Sequence, residues 1–310
     1  MLKSNNKKTK NYKLKKILHS WQLYILALPS IIWIALFCYG PMYGALIAFK
    51  DYAPSRTIWE SDWVGLLYFE RFFKSPYFLQ VLVNTLKISF ATLLFTIPIP
   101  IFLALLLNGF RMKRYKRFVQ TVIYAPNFIS IVTIVGMMTL FLSPHTGIIN
   151  RLIVMAGGTA INFMGEKSWF VPLFVISEIW QKAGFSAVVY LAALAGVSPT
   201  LHEAASIDGC NRWQRIRYID LPAITPTIVT MTILAIGGLM NVGGDKVYLM
   251  KNDVNANVAR TIFVHVTDMG IGRGQWSYAS AVGLFNSVVN MALLFVANKV
   301  SNKITKSGLF

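Results

Sequence analysis

The stretch from His202 to Pro222, HEAASIDGCNRWQRIRYIDLP, is a polar island between two long apolar blocks. A loop that merely joins two membrane spans needs no helix punctuation, and this one is full of it. Pro199 after Ser198 suits the first position of a helix, and Thr200 with Glu203 has capping-box spacing. Gly209 fits the left-handed residue that closes a helix. Asn211, with Gln214 three residues on, predicts the cap of a second helix. Pro222 predicts that this helix ends near Leu221. The pattern is helix, glycine turn, helix, proline stop: a compact elbow over residues 198–222.

The faces of the elbow suggest a use. Ala204 and Ala205 are small enough for another backbone to come close, and Glu203 and Asp208 beside them offer acceptors to a basic partner. Trp213, Ile216 and Ile219 recur every three residues, an apolar stripe suited to packing under the spans or into an interface. Arg212, Arg215 and Arg217 are within reach of lipid phosphates. The residues alone fit an amphipathic linker on the membrane surface as well as a docking element.

The rest of the chain is membrane-like. Its 310 residues are 55% hydrophobic and only 14% charged, with mean hydropathy +0.54. The apolar residues form blocks of the length a bilayer needs, about 20 residues each. Six spans are predicted, at 21–49, 79–107, 118–142, 169–195, 224–244 and 277–299, as one membrane domain over 21–300. It is flanked by a basic tail, 1–20, and a short tail, 301–310. The first block is too long for a cleaved signal and reads as a retained anchor. Prolines inside the blocks (Pro29, Pro41, Pro98, Pro100, Pro126, Pro226) predict kinks.

The net charge of +18 does not point to nucleic acid, because the basic residues sit at the edges of apolar blocks, where they meet lipid and set topology. Seven lysines lie in the N-terminal tail, five basic residues in the second connection, three in the fourth and three near the C-terminus. The first, third and fifth connections, much longer together, hold four, two and four. Both termini and the elbow are therefore expected in the cytoplasm, and the long Gly-rich fifth connection, about 245–276, outside. Cys38 lies in the first apolar block and Cys210 in the elbow, expected on different sides of the hydrocarbon, so no disulfide is expected, and the four histidines show no metal-ligand spacing.

The run EAASIDG, then IDLP nine residues later, resembles the signature of ABC-importer permease subunits: E-A-A, three residues, G, nine residues, I, one residue, L-P. Glu203, Ala204, Ala205, Gly209, Ile219, Leu221 and Pro222 occupy its positions. VNTLKISF, SPHTGIIN, WQKAGFSAVVYLAALAGVSP, GGDKVYLM and YASAVGLF are similar to the carbohydrate branch, and most to LplB-type permeases for oligosaccharides and polysaccharide fragments. The resemblance spans about Trp21 to Lys303. It implies an all-α membrane protein of six transmembrane helices with the MetI-like type I importer fold. It makes residues 198–222 a cytoplasmic coupling helix, with Glu203 and Asp208 against the ATPase and Gly209 at the turn. It also implies a second homologous permease subunit, a cytoplasmic ABC ATPase dimer that binds ATP and Mg, and an extracellular solute-binding protein. This chain itself would hold no cofactor.

No G-x-x-x-x-G-K-[ST] phosphate loop and no catalytic constellation is present, so the chain is not expected to be an enzyme. Polar residues inside spans are costly in lipid and are candidates for a sugar path. These are Asn84 in span two, Glu178, Trp180, Gln181, Phe185 and Tyr190 in span four, and Asn286 and Asn290 in span six. Glu178 and Lys182 are one turn apart, in the order that favours an ion pair. Helix–helix hydrogen bonding is the plainer role for such groups. Two other functions remain open at this stage: a permease for a non-sugar solute, or an ion-coupled secondary transporter using Glu178.

Overall fold

The computed structural model describes residues 21–110 and 112–305; the basic tail 1–20 and the end of the C-terminal tail lie outside them. Among the described residues the secondary structure is helical, apart from one antiparallel bridge between Lys50 and Trp63. In chain order the elements are α1 (Trp21–Phe49), α2 (Leu67–Phe73), α3 (Phe78–Asn108), α4 (Lys113–Phe128), α5 (Ile131–Phe141) and α6 (Ile148–Met155). There follow α7 (Lys167–Ala195), α8 (Pro199–Ile207), α9 (Arg212–Gly237), α10 (Gly244–Met250), α11 (Ile262–Gly270) and α12 (Trp276–Thr305). Helices α1, α3, α9 and α12 are each long and apolar enough to cross a membrane, and the bent pairs α4/α5 and α7/α8 bring the number to six if each is one span.

Two of the expected spans take a different form. The span expected over 118–142, with a kink at Pro126, is broken there into two helices, α4 and α5, that meet at 97°. Pro126 sits in a 3₁₀ turn, and Ser130 starts α5 afresh, its hydroxyl accepting from the Thr133 N–H at 3.2 Å. The fifth span was expected over 224–244, but α9 begins at Arg212 and ends at Gly237. The helix does not stop before Pro222. A π turn over Ile216–Asp220 widens the coil just ahead of it, so the proline enters as the first turn of a new α segment.

Helix α7 is the axis of the packing. On the elbow side Tyr190 and Leu194 pack with Ala104 of α3 and Ile224 of α9. Farther along, Phe170 and Phe174 pack with Ile88 of α3, Val247 of α10 and Val264 of α11. A third cluster joins Phe72 of α2 and Val81 of α3 to Tyr278 and Val282 of α12. Helix α4 touches α7 backbone to backbone: a Cβ on Gly184 would stand 2.0 Å from the Ile123 carbonyl oxygen. Helix α1 is the exception. Residues 21–43 are all exposed, and only its last turn, around the buried Ala48, packs on α12.

Candidate functional site: the elbow and the polar groups of the spans

The elbow is built by two local devices. Helix α8 closes on Gly209 at φ +73°, with the Cys210 N–H donating to the Ala205 carbonyl at 2.9 Å and the Gly209 N–H to Ser206 at 3.3 Å. This is the Schellman pattern, which a left-handed residue makes possible. Asn211 then caps α9 reciprocally: its Oδ1 accepts from the Gln214 N–H at 2.9 Å, and its own N–H donates to Gln214 Oε1 at 2.7 Å. The capping box expected between Thr200 and Glu203 does not form. The Ser198 and Thr200 hydroxyls bond each other at 2.8 Å, and Pro199 supplies the first turn.

Glu203, Ala204, Asp208 and Gly209 are exposed, and nothing lies within 4 Å of where a Gly209 Cβ would be. Ala205 is buried, so of the alanine pair only Ala204 is open to a partner. Leu221 and Pro222 are exposed and Ile219 is half-buried. The expected stripe of Trp213, Ile216 and Ile219 is split: the two isoleucines turn inward while Trp213 stays 76% exposed.

Behind the elbow lies a cavity of about 810 Å³, lined by Asn108, Leu194, His202, Glu203, Arg212 and Asp220 among others. Two contacts cross it from α8 and α9. His202 Nε2 stands 3.5 Å from Asp220 Oδ1, and the Arg212 guanidinium lies against Gly109 at the end of α3. No local spacing signals either contact, because the partners are distant along the chain.

The eight polar and aromatic candidates in the spans occupy distinct settings. Asn84 donates to the carbonyls of Asn257 and Arg260 at 2.6 and 3.1 Å, tying α3 to the long fifth connection. Gln181 is buried; its amide donates to the Ile129 carbonyl at 3.1 Å, across the α4/α5 break, and its Oε1 has no hydrogen-bond partner among the described residues. Asn290 accepts the Met240 N–H at 2.9 Å, and Asn286 donates to Asn241 at 2.6 Å, so both hold the 3₁₀ turn that follows α9. Tyr190 is buried in the packing nearest the elbow. Trp180 and Phe185 are 47% and 48% exposed, and Phe185 meets Phe128 edge-on at 6.1 Å.

Glu178 is buried and holds two lysines. Its Oε1 pairs with Lys182 one turn on, and its Oε2 accepts from Lys246 of α10 at 3.0 Å. Lys246, which the sequence placed in a connection, is 3% exposed and stacks 5.5 Å from the Phe174 ring centre. No local spacing announces this pair.

At the end away from the elbow, the first connection is fastened to the body. The Tyr52 N–H donates to Ser277 Oγ at 2.9 Å, and the Tyr68 hydroxyl donates to Asp51 at 2.5 Å. Burial first, and then the bond to Asp51, push the Tyr68 phenol up to about 12. Lys251 pairs with Asp268 at 2.9 Å, and Arg260 covers Tyr77 at 4.3 Å.

Comparison with known proteins agrees with this architecture. Residues 96–302 match the family described as binding-protein-dependent transport system inner membrane component. Protein LplB of Bacillus subtilis is 45% identical over 93% of this chain and 91% of its own length. The polygalacturonan/rhamnogalacturonan transport system permease protein YteP of the same organism is 42% identical over 95% of this chain and 92% of its own. A chain of a bacterial ABC transporter that imports the acidic polysaccharide alginate superposes with a TM-score of 0.86 at 38% identity, covering 95% of this chain and 99% of that one. A chain of a bacterial alginate ABC transporter solved in complex with an alginate pentasaccharide-bound periplasmic protein also matches at 38% identity, with a TM-score of 0.87 and the same coverage. By family pattern, by identity along almost its whole length and by fold, this chain belongs to the inner-membrane components of binding-protein-dependent transport systems.

Proposed function

We propose that this chain is one of two homologous permease subunits of an ATP-driven importer, carrying oligosaccharides or polysaccharide fragments across the bacterial cell membrane by alternating access. An extracellular binding protein delivers the sugar. A cytoplasmic ATPase dimer, which binds ATP and Mg, docks on the elbow, and both termini of this chain face the cytoplasm. The ligands act by binding the inward- and outward-facing states with different affinity. The substrate class is supported by two relatives, a polygalacturonan/rhamnogalacturonan permease and an alginate importer.

The observation that carries this function is the elbow. Its exposed Glu203 and Asp208 stand on a helix closed by Gly209, and the next helix, capped by Asn211, runs on into the membrane as α9. An ion-coupled transporter needs an intramembrane charge free to exchange its ion, and among the described residues the carboxylate near the middle of a span, Glu178, is held by two lysines.

The test is co-purification of the importer from its native membrane, comparing wild type with Glu203→Ala and Gly209→Pro. The variants are expected to keep the second permease and lose most of the ATPase. Full ATPase retention with undiminished sugar uptake in both variants would overturn the assignment of the elbow.

A further inference from the structure

The charges inside the membrane domain do not balance. Around Glu178 there are two ammonium groups and one carboxylate, and both carboxylate oxygens are used, one for each lysine. Lys87 on α3 adds another cation to the spans, with no carboxylate within 4 Å among the described residues. The two lysines at Glu178 are not equivalent. The Lys246 side chain is 3% exposed and closed over by the Phe174 ring, so it can meet no other anion. The Lys182 side chain is 52% exposed. The unmatched positive charge is therefore available on the Lys182 side.

Its depth rules out an ordinary surface lysine. Lys182 sits near the midpoint of α7, a helix of 29 residues and about 43 Å. An ammonium facing lipid at that depth is disfavoured by about 3 kcal/mol on insertion scales, so exposed charges there face an aqueous cavity or a partner. Phe185, three residues on and on the same side, is also half-exposed, with Phe128 against it. A cation beside an open aromatic face offers one group for a carboxylate and another for the C–H face of a sugar ring.

We infer that Lys182 selects acidic oligosaccharides: its ammonium, shared with Glu178, binds a uronate carboxylate that completes the charge balance in the path. This rests on the importer function proposed above and names the substrate class for it. Removing Lys182 leaves the buried Glu178–Lys246 pair intact, so Lys182→Gln is compatible with folding.

The experiment uses the complete importer in proteoliposomes with its binding protein, taking up trigalacturonate or the same trisaccharide with its carboxyls reduced. For each sugar, the variant is compared with wild type, which cancels the preference of the binding protein. Lys182→Gln is expected to raise the KM for trigalacturonate about tenfold or more, as loss of a charge-assisted bond would. Uptake of the reduced trisaccharide should be unchanged, and Lys182→Arg should retain acidic uptake. Equal loss for both sugars, or loss for neither, overturns the inference, as does a wild type that moves only the reduced sugar. If wild type moves neither sugar and the loaded binding protein fails to stimulate ATP hydrolysis, the oligosaccharide function itself falls, and this inference with it.

Discussion

Two glycines are required by this fold for opposite reasons. Gly209 has open space around it and a φ of +73°, so a side chain there meets only backbone strain, about 1–2 kcal/mol. Gly184 has ordinary helical geometry and no space, because α4 passes with the Ile123 carbonyl 2.0 Å from a virtual Cβ. An alanine there forces two backbones apart, at the upper end of the cost of overpacking, about 3 kcal/mol. Gly184→Ala should therefore lower the midpoint of thermal unfolding in detergent more than Gly209→Ala does. The reverse order would contradict the close approach of α4 and α7. Gly209 and Asn211 were legible in the sequence because turn and cap signals are local. Gly184 was not, since its neighbour belongs to another helix and nothing at positions 183–185 distinguishes a contact from a spacer. Glu178 is intermediate: Lys182 lay one turn away, but Lys246 came from a segment that looked like a loop.

At the scale of elements, the spans are not plain rods. The α4/α5 break and the turn after α9 place unwound backbone within the helical body, and each is held by amides from a neighbouring helix. Gln181 takes the Ile129 carbonyl; Asn290 takes the Met240 N–H, and Asn286 binds the side chain of Asn241. Irregular backbone at membrane depth needs such partners, because lipid supplies none. Gln181→Leu should cost about 1–3 kcal/mol by freeing the Ile129 carbonyl. Thermal unfolding of the purified subunit checks this, and an unchanged midpoint would mean that water or a partner chain already serves that oxygen. The number and order of the apolar segments could be read from hydropathy. The 97° bend could not, because Pro126 signals a kink without its angle. Pro222 was misleading for a related reason: a proline forbids an ordinary hydrogen bond, and the π turn before it removes the need for one.

At the scale of the molecule, α1 stands apart. All residues from 21 to 43 are exposed, and the helix meets the body only near Ala48. The body's own core is complete without it. A chain lacking residues 1–42 should keep the unfolding midpoint of the isolated body within roughly 2 °C, since no buried contact is lost. A larger drop would show that α1 folds back on the body in detergent. Composition established the membrane class, and the resemblance pointed to the family. Neither could show that the first span has almost nothing in its own chain to pack against, because hydropathy reports affinity for lipid and says nothing of neighbours.

The continuity of α9 through Pro222 has a mechanical consequence. The helix is 26 residues long, or about 39 Å, and it stays helical from its capped start at Asn211 through the π turn and Pro226 to its end at Gly237. A continuous helix of that length converts a small rotation at one end into a large displacement at the other. A tilt of about 10° around Gly209 carries the far end some 7 Å, by the rise of about 1.5 Å per residue. Had the proline stopped the helix, the same push would have been absorbed in a loop. The π turn thus keeps elbow and span in one element, so that a push at the glycine reaches the stitched turn after α9 through helix and not through a loop.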